Sequence, residues 1–290
     1  MRSAIAAVVT CCMLQITLCN GLLNAEQLVQ LTEDGRIKRD PVFVDGGRAI
    51  VYTQQSESPR LVLAKLDLAS RRVSRVFPEA NLPELKGVFS TDQQTRAWLR
   101  ITGNDRVSLL VHPAGTEMAY VVKTAKTVAW SPALTPDGQH VVFNLAGQLM
   151  VHSIPPKTAR PLVHSAGRND WPSISPDGTR IAFGSSRDGN FEIYVADFDG
   201  QKLQRLTERP GLDMRPAWSP NGKWIAFTSV RDGNYEICVM SADGRQTHNI
   251  SRHAERDDYA CWHPDGKTLV WVREVAGRYD LFQSAVIPPR

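Results

Sequence analysis

Residues 172–195 read PSISPDGTRIAFGSSRDGNFEIYV, and 44 residues later the chain repeats itself, with residues 216–239 reading PAWSPNGKWIAFTSVRDGNYEICV. A second shift of the same length reaches Ala260-Cys-Trp-His-Pro-Asp-Gly-Lys-Thr-Leu-Val-Trp271, followed by Val275-Ala-Gly-Arg-Tyr-Asp-Leu-Phe-Gln283. A residue that recurs at a fixed offset answers to architecture before it answers to chemistry. The Asp-Gly pairs are such residues. In Ser175-Pro-Asp-Gly178 the proline presets φ, the aspartate bonds local backbone and the glycine tolerates positive φ, a combination that specifies a type I turn. Arg187-Asp-Gly-Asn190 is a short hairpin signal between the apolar runs Ile181-Ala-Phe183 and Phe191-Glu-Ile-Tyr-Val195. Asp199-Gly200 then turns the chain into a fourth run ending at Leu203-Gln-Arg-Leu-Thr207.

Weaker copies lie at Pro41–Tyr52, Val88–Leu99 and Trp130–Phe143, which makes six units in all. Four short antiparallel strands repeated at this period describe a propeller blade. The predicted fold is all-β: a six-bladed β-propeller of four-stranded antiparallel blades. The last unit stops after its third strand, Tyr279–Ile287, with Pro-Pro-Arg behind it. Its missing fourth strand is supplied by Leu28-Val-Gln-Leu-Thr32, which matches the fourth-strand run ending at Thr207. The N-terminal strand thus completes the last blade and closes the ring, hiding two sheet edges that invite aggregation.

Of the 290 residues 42% are hydrophobic and 22% charged, an ordinary globular balance. The formal charge of +4 is dispersed, without a basic run or basic helix, so neither nucleic acid nor an anionic membrane is an expected partner. The N-terminal MRSAIAAVVTCCMLQITLCNGLLNAEQ has a basic Arg2, an uncharged, mostly apolar run Ala4–Leu18 and small residues at Cys19, Gly21 and Ala25. That is a secretory signal pattern, assigned to residues 1–25 with cleavage within 19–25, and residues 26–290 form the propeller. Leu18 before Cys19 and Thr10 before Cys11 argue against lipidation. No transmembrane segment is expected, so the mature chain is predicted to be an exported, soluble, periplasmic or secreted monomer. Cys238 and Cys261 fall on a third strand and on the first strand of the next blade, too far apart for a disulfide, and are predicted to be buried thiols.

The copies SPDGTRIAFGSSRDGNFEIYVADFDG and SPNGKWIAFTSVRDGNYEICVMSADG closely resemble the repeat of the TolB-type propellers, also described as WD40-like PD40 repeats. The resemblance is specific over Asp170–Gln283 and weaker over Pro41–Val163. It implies a six-bladed periplasmic scaffold of the Tol-Pal system that binds the peptidoglycan-associated lipoprotein Pal at the mouth of the propeller channel. TolB itself carries a small α/β domain before its propeller. Here the first blade begins near Asp40, directly behind the predicted signal peptide and closing strand, so the expectation is a TolB-like propeller lacking that domain.

Strand order sorts the loops onto two faces. The Ser-Pro-Asp-Gly turns share one face; the Arg-Asp-Gly-Asn hairpins and the connections between blades share the other, more varied and more charged, as suits recognition. Seven residues before each turn proline stand Asn169, Asp213 and Asp257, with Ala129 breaking the pattern in a fourth copy. One reading has each side chain accept a local backbone hydrogen bond at the start of the first strand. The other has the three cluster at the channel mouth to bind a partner or, more weakly, to ligate a cation. Arg168, Arg215, Arg256 and Tyr259 would supply a charged rim with an aromatic anchor. Arg187/Glu192 and Arg231/Glu236 are expected to pair across their hairpins, worth about 0.2–1 kcal/mol each, and Trp218 and Trp262 to lie in the core between blades.

No Gly-x-Ser-x-Gly elbow, P-loop, His-Glu-x-x-His or Cys-x-x-Cys occurs, and Asp197-Phe-Asp199-Gly200 lacks the downstream ligands of a calcium loop. No catalytic residue and no cofactor is expected. The favoured function is a non-enzymatic protein-binding scaffold of the cell envelope with a Pal-like lipoprotein as partner. Two alternatives stand beside it. One is a cation-dependent propeller enzyme of lactonase or hydrolase type using Asn169, Asp213 and Asp257. The other is a carbohydrate- or peptidoglycan-binding module with Tyr259, Trp171 and Met214 as platforms.

Overall fold

The computed structural model describes residues 28–286, apart from residues 59, 104–105, 125–127 and 232, and folds them into six four-stranded antiparallel sheets. The predicted leader, with its cleavage window, lies outside the described residues. Five blades are built from consecutive strands, over residues 38–75, 84–121, 129–163, 169–205 and 212–249. In the sixth, Arg256–Trp262, Thr268–Val275 and Arg278–Ala285 are joined at the outer edge by Val29–Gln30, with Val29 opposite Gln283 and Gln30 opposite Phe282. The ring is therefore closed by the N-terminal strand, as its match to the Thr207 run predicts. Among the described residues no helix is long and apolar enough to cross a membrane.

A hydroxyl fastens that closure. Thr32 Oγ1 donates to Asp280 Oδ1 (2.8 Å) and accepts from the Leu281 amide (2.9 Å). Thr207 and Ser251 hold the fourth strands of the fourth and fifth blades the same way, bonding Glu192 and Glu236 and receiving the amides of Ile193 and Ile237. At the closing blade the buried Lys38 adds an ion pair to Asp280 (3.4 Å) and another to Asp34.

The turns on the Ser-Pro-Asp-Gly face are built as their residues dictate. The Gly178 amide bonds Ser175 O (2.9 Å), and Gly178 sits at φ +73° where a side chain would be strained. Asp177 Oδ1 accepts from Ser175 Oγ (2.6 Å), Thr179 N (3.0 Å) and Thr179 Oγ1 (2.8 Å).

The core is a set of layers between neighbouring blades. Ile181 and Phe183 pack against Val142, Leu149 and Val151 of the third blade, while Ala182 between them faces Trp218 and Phe227 of the fifth. The Ile-Ala-Phe run thus puts large side chains on one face of the sheet and a small one on the other, where the next blade's tryptophan needs room. The pattern recurs at Ala226, which meets Trp262 and Trp271 of the sixth blade. Cys238 and Cys261 are free thiols, and burial pushes the Cys238 thiol up to about 12, so it packs as a small hydrophobe.

Candidate functional site

Every blade breaks register in its innermost strand. In the fourth blade Asp170 opposes Gly184, and the next paired residue, Ser173, opposes Ala182; the same slip occurs in all six first strands. At each slip one residue has positive φ: Asp40 (+50°), Lys86 (+48°), Ser131 (+48°), Trp171 (+51°), Arg215 (+54°) and Tyr259 (+61°). A bulge re-aims the side chain at the point where pairing is lost, and a non-glycine residue held there costs about 1–3 kcal/mol. A proline follows in four of the six, at Pro41, Pro132, Pro172 and Pro216, where no ladder N–H is needed.

All six re-aimed residues line one cavity of about 270 Å³, together with Arg39, Trp130, Arg168 and Asp170, on the face where the first strands begin. Five of them, all but Ser131, also line a second cavity of about 270 Å³, whose further walls include Phe89, Leu134, Ile174 and Pro216. The six form a belt between a charged mouth and an apolar inner channel.

Within the belt Lys86 Nζ pairs with Asp40 Oδ1 at 3.4 Å, and the Lys86 amide donates to Thr53 Oγ1 (2.9 Å). The Arg215 guanidinium lies 5.0 Å from the centroid of Trp171 and 4.5 Å from that of Tyr259, cation–π distances on both flanks. Its Nη1 meets Asp258 Oδ1 at 3.2 Å; Asp258 also takes Arg256 Nη2 (3.1 Å) and Thr228 Oγ1 (2.9 Å). Burial raises the Tyr259 hydroxyl above its usual pKa, keeping it neutral. Trp171 lies where a Cβ on Gly184 would come within 2.8 Å of its ring, so the absent side chain makes room for the indole.

The residues picked from the sequence divide. Arg215 and Tyr259 stand in the belt; Arg168 is exposed at the mouth, 3.6 Å from Asp170; Arg256 borders a smaller side cavity with Arg39 and Glu274. Asn169, Asp213 and Asp257 are 0%, 3% and 0% exposed, and none of them lines any of these cavities. Asn169 accepts from Ser185 Oγ (2.8 Å) and Arg187 Nη2 (3.0 Å) and donates to Gln148 Oε1 (2.8 Å). Asp213 accepts from Ser229 Oγ (2.6 Å) and Arg231 Nη2 (3.1 Å). Asp257 takes Arg273 in a fork (2.7 and 2.8 Å) and Trp271 Nε1 (2.9 Å). Glu84 plays this part in the second blade, accepting from Trp98 Nε1 (3.0 Å) and Arg100 Nε (3.1 Å). For Asp213, Asp257 and Glu84 the partners are side chains of the second strand rather than local backbone; Asn169 bonds Ser185 of that strand, Arg187 of the hairpin beyond it and Gln148 of the preceding blade.

The expected hairpin pairs are accordingly replaced. Arg187 and Arg231 bond Asn169 and Asp213 instead, while Glu192 pairs with Arg205 (3.1 Å) and bonds Thr207, and Glu236 bonds Ser251. The sequence reading missed Asp40, Lys86, Ser131, Arg39 and Trp130. The first three stand two places after Lys38, Glu84 and Ala129, the counterparts of Asn169, although only Asp40 and Ser131 precede a proline. Among the described residues no group of three His, Cys, Asp or Glu side chains is placed to hold a metal ion.

Residues 121–286 match the family model described as the TolB beta propeller domain. The chain belongs to the TolB β-propeller family. It is 31% identical over 187 residues to the Tol-Pal system protein TolB of Anaeromyxobacter dehalogenans (strain 2CP-1), covering 62% of this chain and 42% of that protein. The chain thus spans less than half the length of this curated relative. Among solved structures, TolB from Acinetobacter baumannii superposes with a TM-score of 0.69 at 19% identity, over 83% of this chain and 65% of that one. An oligogalacturonate lyase in complex with manganese superposes with a TM-score of 0.63 at 17% identity, over 89% and 79%. At such identities the likeness is one of fold: TolB propellers share it with an enzyme.

Proposed function

We propose that this TolB-type propeller is a non-enzymatic, periplasmic protein-binding scaffold and that its partner, a Pal-like lipoprotein, docks at the mouth formed by the six first strands. The observation that carries this reading is the belt: six backbones bent alike to aim unlike side chains into one cavity. A purely structural bulge has no need of such variety in a symmetric ring. The mouth around it has the composition of a recognition surface. Trp130, 42% exposed, stands beside Arg39 and Arg168, and aromatic and arginine side chains are those that dominate binding energy at protein interfaces. Asn169, Asp213 and Asp257 serve this site indirectly, holding the first strands to the second.

The test is titration of the purified soluble domain of the Pal-like lipoprotein from the same organism, followed by calorimetry. Saturable one-to-one binding is expected, weakened at least ten-fold by Trp130→Ala and by Arg168→Glu, both exposed positions whose replacement leaves the melting temperature unchanged. Binding untouched by either substitution would overturn the placement at the mouth, and turnover of an oligosaccharide by the wild type would overturn the scaffold reading.

A further inference from the structure

The belt is unequally charged and unequally polar along the channel axis. The mouth cavity is lined by four cations, Arg39, Lys86, Arg168 and Arg215, against two anions, Asp40 and Asp170. Low-dielectric walls of one prevailing sign concentrate counter-charge. Within this set Lys86 and Arg168 have carboxylates of their own, whereas Arg215 shares Asp258 with Arg256. Arg215 Nη1 also meets Met214 Sδ (2.7 Å), and among the described residues Nη2 makes no hydrogen bond. A guanidinium clamped between two rings, with one unforked ion pair, has unused capacity for a second carboxylate. On the inner side of the belt the walls turn apolar, through Val42, Phe89, Leu134 and Ile174.

We infer that the belt is a carboxylate receptor, in which Arg215, backed by Lys86, holds a carboxylate of a peptide segment while the adjoining apolar side chain enters the inner channel. A peptide fits better than a sugar acid, because the inner walls offer hydrocarbon where a sugar would need partners for its hydroxyls. This rests on the channel-mouth reading and names the chemical feature of the partner that the mouth selects.

The probes are N-acetyl-leucine, a minimal chain terminus with an apolar side chain, its uncharged analogue N-acetyl-leucinamide, and galacturonate as a sugar carboxylate. Titration is followed by the amide and indole resonances of the intact propeller. The acid is expected to bind at millimolar concentration and to shift the Trp171 indole, with the amide at least ten-fold weaker and galacturonate weaker than the acid. Arg215→Gln should weaken the acid at least ten-fold. Lys86→Met should weaken it at least three-fold and carries the test alone should Arg215→Gln fail to fold. Equal binding of acid and amide, or unchanged binding in the variants that fold, overturns the proposal; galacturonate bound more tightly than the acid replaces the peptide by a sugar. Lipoprotein binding at the mouth without carboxylate binding sinks this inference alone. Carboxylate binding without lipoprotein binding sinks only the choice of partner.

Discussion

A positive φ at six equivalent positions is what points the channel belt inward. The bulge between Asp170 and Ser173 separates Trp171 from Asn169, two residues back, which turns into the blade to meet Arg187. Strict alternation would put both on one face, and a one-residue slip is enough to undo that. The turn residues carry their own chemistry. The Ser175 hydroxyl and the Thr179 amide and hydroxyl bond the ionised Asp177 carboxylate and draw its pKa down to about 2. A group whose pKa falls on folding contributes stability above its unfolded value near 3.9, and loses it as the pH drops toward 2. Asn221, which makes the same bonds to Ser219 Oγ (2.8 Å) and Lys223 N (3.0 Å), shows that an amide serves the geometry. Asp177→Asn is therefore expected to leave melting at pH 7 little changed and to flatten the fall between pH 4 and pH 2. Melting curves over that range check it; an unaltered acid limb would show that the bonded carboxylate contributes nothing to folding.

Strands and turns were legible because period, turn chemistry and alternation agree within each repeat. The closing strand was legible for a related reason: Leu28–Thr32 carries the run that ends at Thr207, and the structure gives both threonines one task. The buried roles of Asp213 and Asp257 were not legible. The pattern showed that they recur, but not which way a residue next to a bulge turns. Both bind arginines of the second strand, and removing one partner of such a buried pair costs about 3–5 kcal/mol; alanine at either position tests the fold before it tests binding. At the closure, Thr32→Val leaves the buried Asp280 carboxylate and the Leu281 amide without the hydroxyl that joins them. A loss of about 1–3 kcal/mol is expected in denaturant unfolding. Unchanged stability would show that the Val29–Gln30 pairing closes the ring without the hydroxyl.

Over the whole molecule, a near-identical scaffold carries six dissimilar belt residues. Each blade buries its neighbours' side chains in much the same way, so stability is repeated around the ring, and the proposed recognition site falls where the symmetry fails. The fold could be read from three well-kept repeats. The belt could not, because its members in the first three blades, Asp40, Lys86 and Ser131, lie in the copies that diverge most. The fold alone does not decide function, since a TolB and an oligogalacturonate lyase share it. The central claim, that the partner binds over the first-strand mouth, is tested most directly by hydroxyl-radical footprinting of the propeller with and without the Pal-like domain. Trp130, 42% exposed at the mouth, and Met118, 79% exposed in the turn between the third and fourth strands of its blade, report on opposite faces. Binding is expected to suppress oxidation of Trp130 and leave Met118 as reactive as before; protection of Met118 with Trp130 unchanged would contradict it.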